Sequence, residues 1–399
     1  MKRIHLCIIS DQPLPNLIPI LQDKPDYVAL IVSKEKSQEA INFKETLRYC
    51  GYDTDAVFIY QGIPDSGLEY LQLKALEIID TQSAVTPNAR FIYNATGGNK
   101  IMALAFASQF MEASHEVFYA DTAHGRLETL YPTGTNTRIM EQVLDVNIYL
   151  KAYGETVRKV GSASEPWVLT VQNRRSLTYW IATNIQHLES AVGCLNSAVG
   201  SALSGNGNGI DHPLQDLPFY PKHQYLEYLK KLGENKLIQW DAQRASQVCF
   251  DSIEGASYVS GGWLEEYAWL VANDLSIHSV AANIEITDDI MSKSNIRNEL
   301  DLVAVHNNRM IIIEVKTSKF GKRQDKDNEI VYKIDALAKK VGGVFCKRIL
   351  LSAMPVDHTT KGGRDVNVTH RAASHRVDVL DGGHITDLKD SLQKWMSAS

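Results

Sequence analysis

Short apolar runs alternate with helix-spaced stretches over residues 1–150. Ile4–Ile9, Tyr27–Val32, Ala56–Tyr60, Phe91–Tyr93 and Val117–Ala120 read as strands, and residues 14–22, 35–50, 66–80 and 98–113 repeat apolar positions at helical spacing. Strands separated by helices of this size imply parallel units with right-handed crossovers, so the fold class is α/β with a doubly wound, Rossmann-like sheet. Arg126–Tyr131 adds a hairpin strand at its end. The pattern changes at residue 151: a polar segment, Gly161–Pro166, precedes a helical stretch over 177–202, and Ser204–Gly209 then places three glycines in a loop. Residues 151–250 therefore read as a helical connector with a glycine-rich loop, and 251–399 as a second α/β domain closed by a Val377–Leu380 strand and a final helix.

In that second domain two β-rich runs flank Asn307-Asn308, the turn pair of a tight hairpin. Side chains alternate along a strand, so Glu314 and Lys316 share one face while Val315 points into the core. Charges at the end of the apolar run Met310–Ile313 are costly to bury and ask for a chemical reason. The hairpin brings Asp301 opposite Glu314, and two carboxylates at one spot repel unless a cation lies between them. Hard oxygens suit Mg²⁺ or Mn²⁺, and a lysine beside them steadies an oxyanion or holds water. An edge-strand ion pair is the other reading of Glu314 and Lys316. Upstream, Gly261–Leu270 opens a helix with Trp263, Tyr267 and Leu270 on one stripe and a carboxylate beside it.

This order of helix, strand, Asp and Glu-x-Lys hairpin, then helix, resembles the PD-(D/E)XK nuclease superfamily. The resemblance implies that Glu265, Asp301, Glu314 and Lys316 are catalytic, with Glu266 the rival for the helical position. Asp301 and Glu314 would hold the metal, the Val315 carbonyl being a further ligand. Lys316 would orient water and steady the transition state.

Composition narrows the picture only locally. Lys and Arg number 41 against 47 Asp and Glu, a net charge of −6, so bulk charge does not announce a nucleic-acid binder. A lysine-rich run after the hairpin (Lys319, Lys322, Arg323, Lys326, Lys333, Lys339, Lys340) fits either a phosphate contact or a solvated helix face. Five scattered cysteines without C-x-x-C spacing speak for a reducing compartment and against structural zinc or a disulfide framework. The apolar run after Met1 is too short for a signal segment or a membrane span, so a cytoplasmic protein without membrane partners is expected.

The first domain carries Asn94-Ala95-Thr96-Gly97-Gly98-Asn99-Lys100 between a strand and a helix. Glycines let backbone approach a ligand closely, and N–H groups at a helix start attract anions. Such turns at the carboxyl ends of central parallel strands are where doubly wound folds bind nucleotides. The same residues also fit a plain strand-to-helix turn with Thr96 or Asn99 as N-cap. Ser10–Asn16, after the first strand, is polar and lies at the same sheet edge, so the first and fourth strands are expected to flank one crevice.

These loops resemble the CARF domain, the cyclic-oligoadenylate sensor of type III CRISPR systems. The resemblance implies ligand contacts at Ser10, Asp11, Thr96, Gly97, Gly98, Asn99 and Lys100, with Ser33 and Lys34 as weaker candidates. Joined to a PD-(D/E)XK domain, it implies a homodimer activated by cyclic tetra-adenylate that cleaves DNA, RNA or both with Mg²⁺ or Mn²⁺ in antiviral defence. Two other functions are weighed against it: a ring nuclease that degrades cyclic oligoadenylate, and a nucleotide-responsive nucleic-acid-binding regulator without catalysis.

Overall fold

In the computed structural model, residues 1–205, 207–218, 220–288, 297–319, 324–343, 346–359 and 365–398 are described. The N-terminal unit comprises β1 Arg3–Ile8, α1 Leu14–Asp23, β2 Tyr27–Ser33, α2 Ser37–Tyr49, β3 Val57–Ile63, α3 Leu68–Val85, β4 Arg90–Asn94, α4 Lys100–Glu112, β5 Glu116–Asp121, β6 Arg126–Tyr131 and β7 Arg138–Ile139. Its seven-stranded sheet has the order β3-β2-β1-β4-β5-β6-β7. The first five strands are parallel and β6 and β7 antiparallel, the doubly wound sheet with its terminal hairpin.

Strands buried on both faces read as continuous apolar runs because helices cover each side. Cys7, Val28, Leu30 and Val32 face α1 and α2, while Leu6, Ile8, Ala29 and Ile31 meet α3 and α4. The chain winds outward from β1 in one direction and from β4 in the other, and these two strands pair directly. Their carboxyl ends therefore open a crevice at the switch point of the sheet, where the sequence expected one.

Next come α5 Val146–Ala152, β8 Glu155–Val160, α6 Glu165–Asn173, the long α7 Arg175–Ala202, β9 Leu214–Asp216, α8 Gln224–Glu234 and β10 Gln247–Cys249. The connecting stretch is mostly helical but not purely so. Its β8 pairs antiparallel with a strand of the second sheet, through a bulge, and the spacing of its apolar residues Val157 and Val160 departs from period two. The glycine-rich loop folds back tightly on the end of α7: Gly209 N–H donates to Ser204 Oγ at 3.0 Å and Gly207 N–H to the Ser204 carbonyl at 2.8 Å.

The C-terminal part contains α9 Ile253–Ser257, α10 Trp263–Asn273, β11 Ser279–Asp288, β12 Arg297–His306, β13 Arg309–Lys316, α11 Gln324–Gly342, β14 Lys347–Ser352, β15 His358–Thr359, β16 Asp365–Val366, α12 Val368–Ser374, β17 Val377–Asp381 and α13 Leu388–Ser397. Its six-stranded sheet is mixed, in the order β17-β14-β13-β12-β11-β8. Leu302, Ala304, Ile311 and Ile313 face α7 and α10. Val303, Val305, Met310 and Ile312 face the other way, into an apolar cluster that runs through α5 and α11 to α1 and α2. The two sheets are thus joined by a continuous core, reinforced by Tyr149 Oη donating to the Gly342 carbonyl at 3.1 Å. Among the described residues no helix is long and apolar enough to cross a membrane.

Candidate active site and ligand crevice

The β12–β13 hairpin sets the first site. Its register runs from His306↔Arg309 to Leu302↔Ile313, and continuing it by one position puts Asp301 across from Glu314. Asn307 and Asn308 have φ of 49° and 56°, the left-handed pair of a two-residue turn whose twist matches the strands. Val315 N–H donates to Asp301 Oδ2 at 2.6 Å, pinning that carboxylate beside the following strand. Lys316 Nζ lies 2.7 Å from Glu314 Oε1, 3.9 Å from Asp301 Oδ2 and 3.0 Å from the Val315 carbonyl. Glu314 is 2 % exposed, so this is a desolvated cluster and not a solvated edge-strand pair. Burial and the neighbouring Glu314 push the Asp301 carboxyl up to about 6.

Adjacent helical residues point about 100° apart, and α10 separates the two candidate glutamates accordingly. Burial, with the charges of Asp301 and Glu299, pushes Glu265 up to about 7. Glu266 turns instead to Arg174: Nε donates to Oε1 at 3.0 Å and to Oε2 at 2.9 Å, and a second guanidinium nitrogen also reaches Oε1. The same arginine bonds Glu254 at 3.0 Å and lies over the Tyr258 ring at 4.6 Å. Glu265 therefore shares the electrostatic field of the hairpin carboxylates, and Glu266 belongs to a buried ion pair.

Whether these residues suit a divalent cation is tested by what already gathers there. A lysine ammonium is drawn to Glu314, the Val315 carbonyl and Asp301, which are hard oxygens facing one point. Among the described residues no group of three or more His, Cys, Asp or Glu side chains is gathered to hold a metal. Two carboxylates and a carbonyl fit an ion that keeps part of its water shell, as Mg²⁺ does.

Two further residues join the site, Lys333, expected only as a member of the basic run, and Thr317, for which the sequence showed no role. Lys333 Nζ, from α11, reaches Glu314 Oε1 at 3.2 Å, and Thr317 Oγ1 bonds the Ser260 carbonyl at 2.8 Å, tying the end of β13 to the turn before α10. Lysine spacing after the hairpin was the only signal for Lys333. Of the remaining basic run, Lys339 pairs with Asp335 and Lys340 with Glu155 and Asp288, so these cations are engaged within the fold. Lys319 is exposed, and Lys322, Arg323 and the Lys326 side chain lie outside the described residues.

The second site is the crevice between β1 and β4, a cavity of about 650 Å³. Ser10, Asp11, Thr96, Gly97 and Gly98 line it, whereas Asn99 and Lys100 are not among its walls. Asn99 caps α4, accepting from Met102 N–H at 2.9 Å, and its amide donates to the Asp65 carbonyl at 2.6 Å. Thr96 Oγ1 donates to Asn94 Oδ1 and accepts from Ala120 N–H, both at 2.6 Å. Asn94 in turn bonds Asn16 Oδ1 at 3.0 Å, and Asn16 donates to the Ile8 carbonyl at 2.8 Å, so the two loops are knitted together. Asp11 pairs with Lys36 at the rim. Ser33 and Lys34 are not among the lining residues.

Gly97 has a packing reason that the sequence did not show. A Cβ there would come 1.9 Å from the Ile8 carbonyl oxygen, so packing against β1 by itself demands glycine at this wall of the crevice. The sequence also missed half of the wall. Tyr119 and Asp121 come from the end of β5 and His124 from the turn after it, and Asn307, Asn308, Arg309 and Gly342 come from the C-terminal unit.

Comparison with known proteins adds to this geometry. Residues 4–149 match the family described as the Card1 CARF domain, and residues 253–399 match the family described as Card1-like, endonuclease domain. No curated protein matches the chain. Among solved structures, it is 25% identical to Can2 from Sulfobacillus thermosulfidooxidans in complex with cyclic tetra-adenylate, with 98% of this chain and 97% of that one covered and a TM-score of 0.76. The protein VC1899 from Vibrio cholerae shares its fold at 20% identity, 99% and 98% coverage and a TM-score of 0.83. A type III CRISPR defence DNA nuclease activated by cyclic oligoadenylate is similar at 14% identity over 88% of this chain and 45% of that one, with a TM-score of 0.51. With a crevice at one end and a carboxylate-lysine hairpin at the other, the chain joins a domain of the Card1 CARF family over residues 4–149 to a domain of the Card1-like endonuclease family over residues 253–399.

Proposed function

We propose that the protein is a cytoplasmic, divalent-metal-dependent endonuclease of type III CRISPR defence, switched on by cyclic tetra-adenylate. Residues 1–150 form the sensor, 151–250 the connector and 251–399 the nuclease. The observation that carries the reading is the convergence of Asp301, Glu314, the Val315 carbonyl and Lys316 at the open end of one hairpin. Asp301, Glu314 and the Val315 carbonyl would hold Mg²⁺ or Mn²⁺. When bound, that ion supplies charge neutralisation at the scissile phosphate and a more acidic water. Lys316, already drawn toward both carboxylates, steadies the charge that grows on the phosphoryl oxygens as phosphodiester attack proceeds. Glu265, with its carboxyl raised to about 7, is placed to accept a hydrogen bond from water and to give up a proton near neutrality.

Ser10, Asp11, Thr96, Gly97 and Gly98 contact the activator, and Asn99 and Lys100 shape the rim and the helix start behind it. A homodimer is supported by an unpartnered apolar face on the adjoining helices α3 and α4, where Leu73, Leu76, Ile101 and Leu104 are exposed. A twofold axis there sets two crevices side by side, and matching contacts from both chains grip a ring of identical nucleotides. The testing experiment incubates supercoiled plasmid and labelled single-stranded RNA with the protein, with and without cyclic tetra-adenylate and Mn²⁺. Cleavage that requires both additions is expected, and none under any combination would overturn the reading.

A further inference from the structure

The tip of the catalytic hairpin is fastened to the sensor, and one side chain makes most of the attachment. Asn308 is 8 % exposed. Its Oδ1 accepts from Val143 N–H at 3.0 Å and Leu144 N–H at 3.1 Å, and its Nδ2 donates to the Glu141 carbonyl at 2.7 Å. Its own N–H donates to Gln142 Oε1 at 3.0 Å. Turn chemistry alone does not ask for this side chain, since glycine suits a left-handed second position better than asparagine. Asn308 is thus built into a socket formed by Glu141–Leu144.

That socket follows Ile139 and Met140 directly, and both of these line the crevice together with Asn307, Asn308 and Arg309. The Arg309 guanidinium is also anchored, donating to the carbonyls of Trp395 at 3.0 Å and Met396 at 3.2 Å. From the turn, β12 and β13 run fully paired and buried through Leu302–Val305 and Met310–Ile313 to Asp301 and Glu314. At strand rise the distance is roughly 20 Å. A paired, close-packed hairpin moves as a piece and does not bend to absorb a displacement at its tip.

We infer that Asn308 is a positioning residue: it locks the catalytic hairpin to the Glu141–Leu144 segment, so that filling the crevice resets Asp301 and Glu314 from the far end of the same two strands. The inference rests on the functional reading above and names how the activator reaches the nuclease centre.

The test uses the full chain with Asn308→Gly, which keeps a favoured turn and removes the three side-chain bonds. Hydrogen exchange with and without cyclic tetra-adenylate is followed at the Thr96–Lys100 turn and along the hairpin, beside stimulated cleavage and calorimetric binding. In the wild type both regions are expected to respond. In the variant the activator still binds and the Thr96–Lys100 turn still responds, the hairpin response disappears, and stimulation at saturating activator falls about 5- to 150-fold, the span of ordinary allosteric coupling. Asn308→Asp provides a second variant, because it keeps both N–H contacts and sets a carboxylate oxygen against the Glu141 carbonyl; an intermediate loss is expected. Full stimulation with a responding hairpin in either folded variant would overturn the inference. A wild-type protein that neither binds cyclic tetra-adenylate nor cleaves would instead overturn the functional reading beneath it.

Discussion

Exchanging one carboxylate for an amide at two neighbouring positions of α10 should give opposite phenotypes. Glu266 forms the buried half of a pair with Arg174, the two side chains being 5 % and 12 % exposed. Breaking such a pair by neutralising one partner typically costs about 3–5 kcal/mol, because the other charge stays buried. Glu266→Gln belongs at the low end, near 3 kcal/mol by the same scale, since the amide oxygen still accepts one bond and Glu254 still touches the guanidinium. For a cooperative unit of this size each kcal/mol moves the midpoint by about 2–4 °C, giving a drop of about 6–12 °C. Activity per folded molecule should survive. Glu265 has no such guanidinium and sits among carboxylates that disfavour its charge, so Glu265→Gln should leave the melting midpoint nearly unchanged. It should lower metal-supported plasmid nicking by about 10- to 100-fold, the usual effect of losing a group that orients a metal's surroundings. Differential scanning of the metal-free proteins and nicking assays with cyclic tetra-adenylate separate the outcomes. An inactive Glu266→Gln of wild-type stability, beside an active Glu265→Gln, would show that the two roles are reversed.

Asp301→Ala and Glu314→Ala should each abolish cleavage and weaken calorimetric Mn²⁺ binding, whereas Lys316→Ala should lower turnover with Mn²⁺ affinity retained; equal loss of metal binding in all three would reject the division of roles. Gly97→Ala should destabilise by about 1–3 kcal/mol in urea unfolding, as overpacking does, because its methyl meets the Ile8 carbonyl; unchanged stability would place that backbone elsewhere. Leu104 is 67 % exposed, and burying that part of a leucine is worth about 1–2 kcal/mol, doubled across a twofold axis. Leu104→Lys should therefore weaken self-association roughly 30- to 900-fold in sedimentation experiments, and an unaltered dimer would move the interface off this face. His5 is buried and neutral, its imidazole pushed down to about 4 by desolvation. Between the ordinary histidine value near 6.5 and pH 4 the unfolded chain binds the extra proton, so this contribution of about 3 kcal/mol is present above that window and lost as pH falls through it. His5→Gln should flatten the stability profile between those limits, and an identical acid slope would assign the loss to other groups.

The sequence made the hairpin legible in detail because two local signals agree: period-two alternation sets the faces, and an Asn-Asn turn sets the register that pairs Asp301 with Glu314. The β1/β4 crevice was legible for a topological reason, since parallel units of similar length leave only a few windings of the sheet. What distance in sequence conceals was not legible. Nothing local separates Glu265 from Glu266; the distinction comes from Arg174, on an element far upstream. That Gly97 is also held by packing was hidden because its partner, the Ile8 backbone, lies on another strand. The crevice wall from Asn307–Arg309 and Gly342 required knowing how the two halves dock. Strand β8 escaped because an edge strand with a bulge needs little alternation to hold its place.

That edge strand has a practical bearing on dissecting the protein. A truncated nuclease beginning at Asp251 would retain every carboxylate of the hairpin yet lose Glu155–Val160, the neighbour of Ile284–Asp288. Strand β11 would then present an open row of peptide groups above an apolar face, a template on which separate molecules pair and precipitate. The natural cut lies before Glu155, so α6 and α7 should travel with the nuclease half. The long excursion of chain between β8 and β11 is thereby an insertion within one sheet, and the nuclease half, whose Val303, Val305, Met310 and Ile312 pack on α5 and the sensor, is best studied in the full chain.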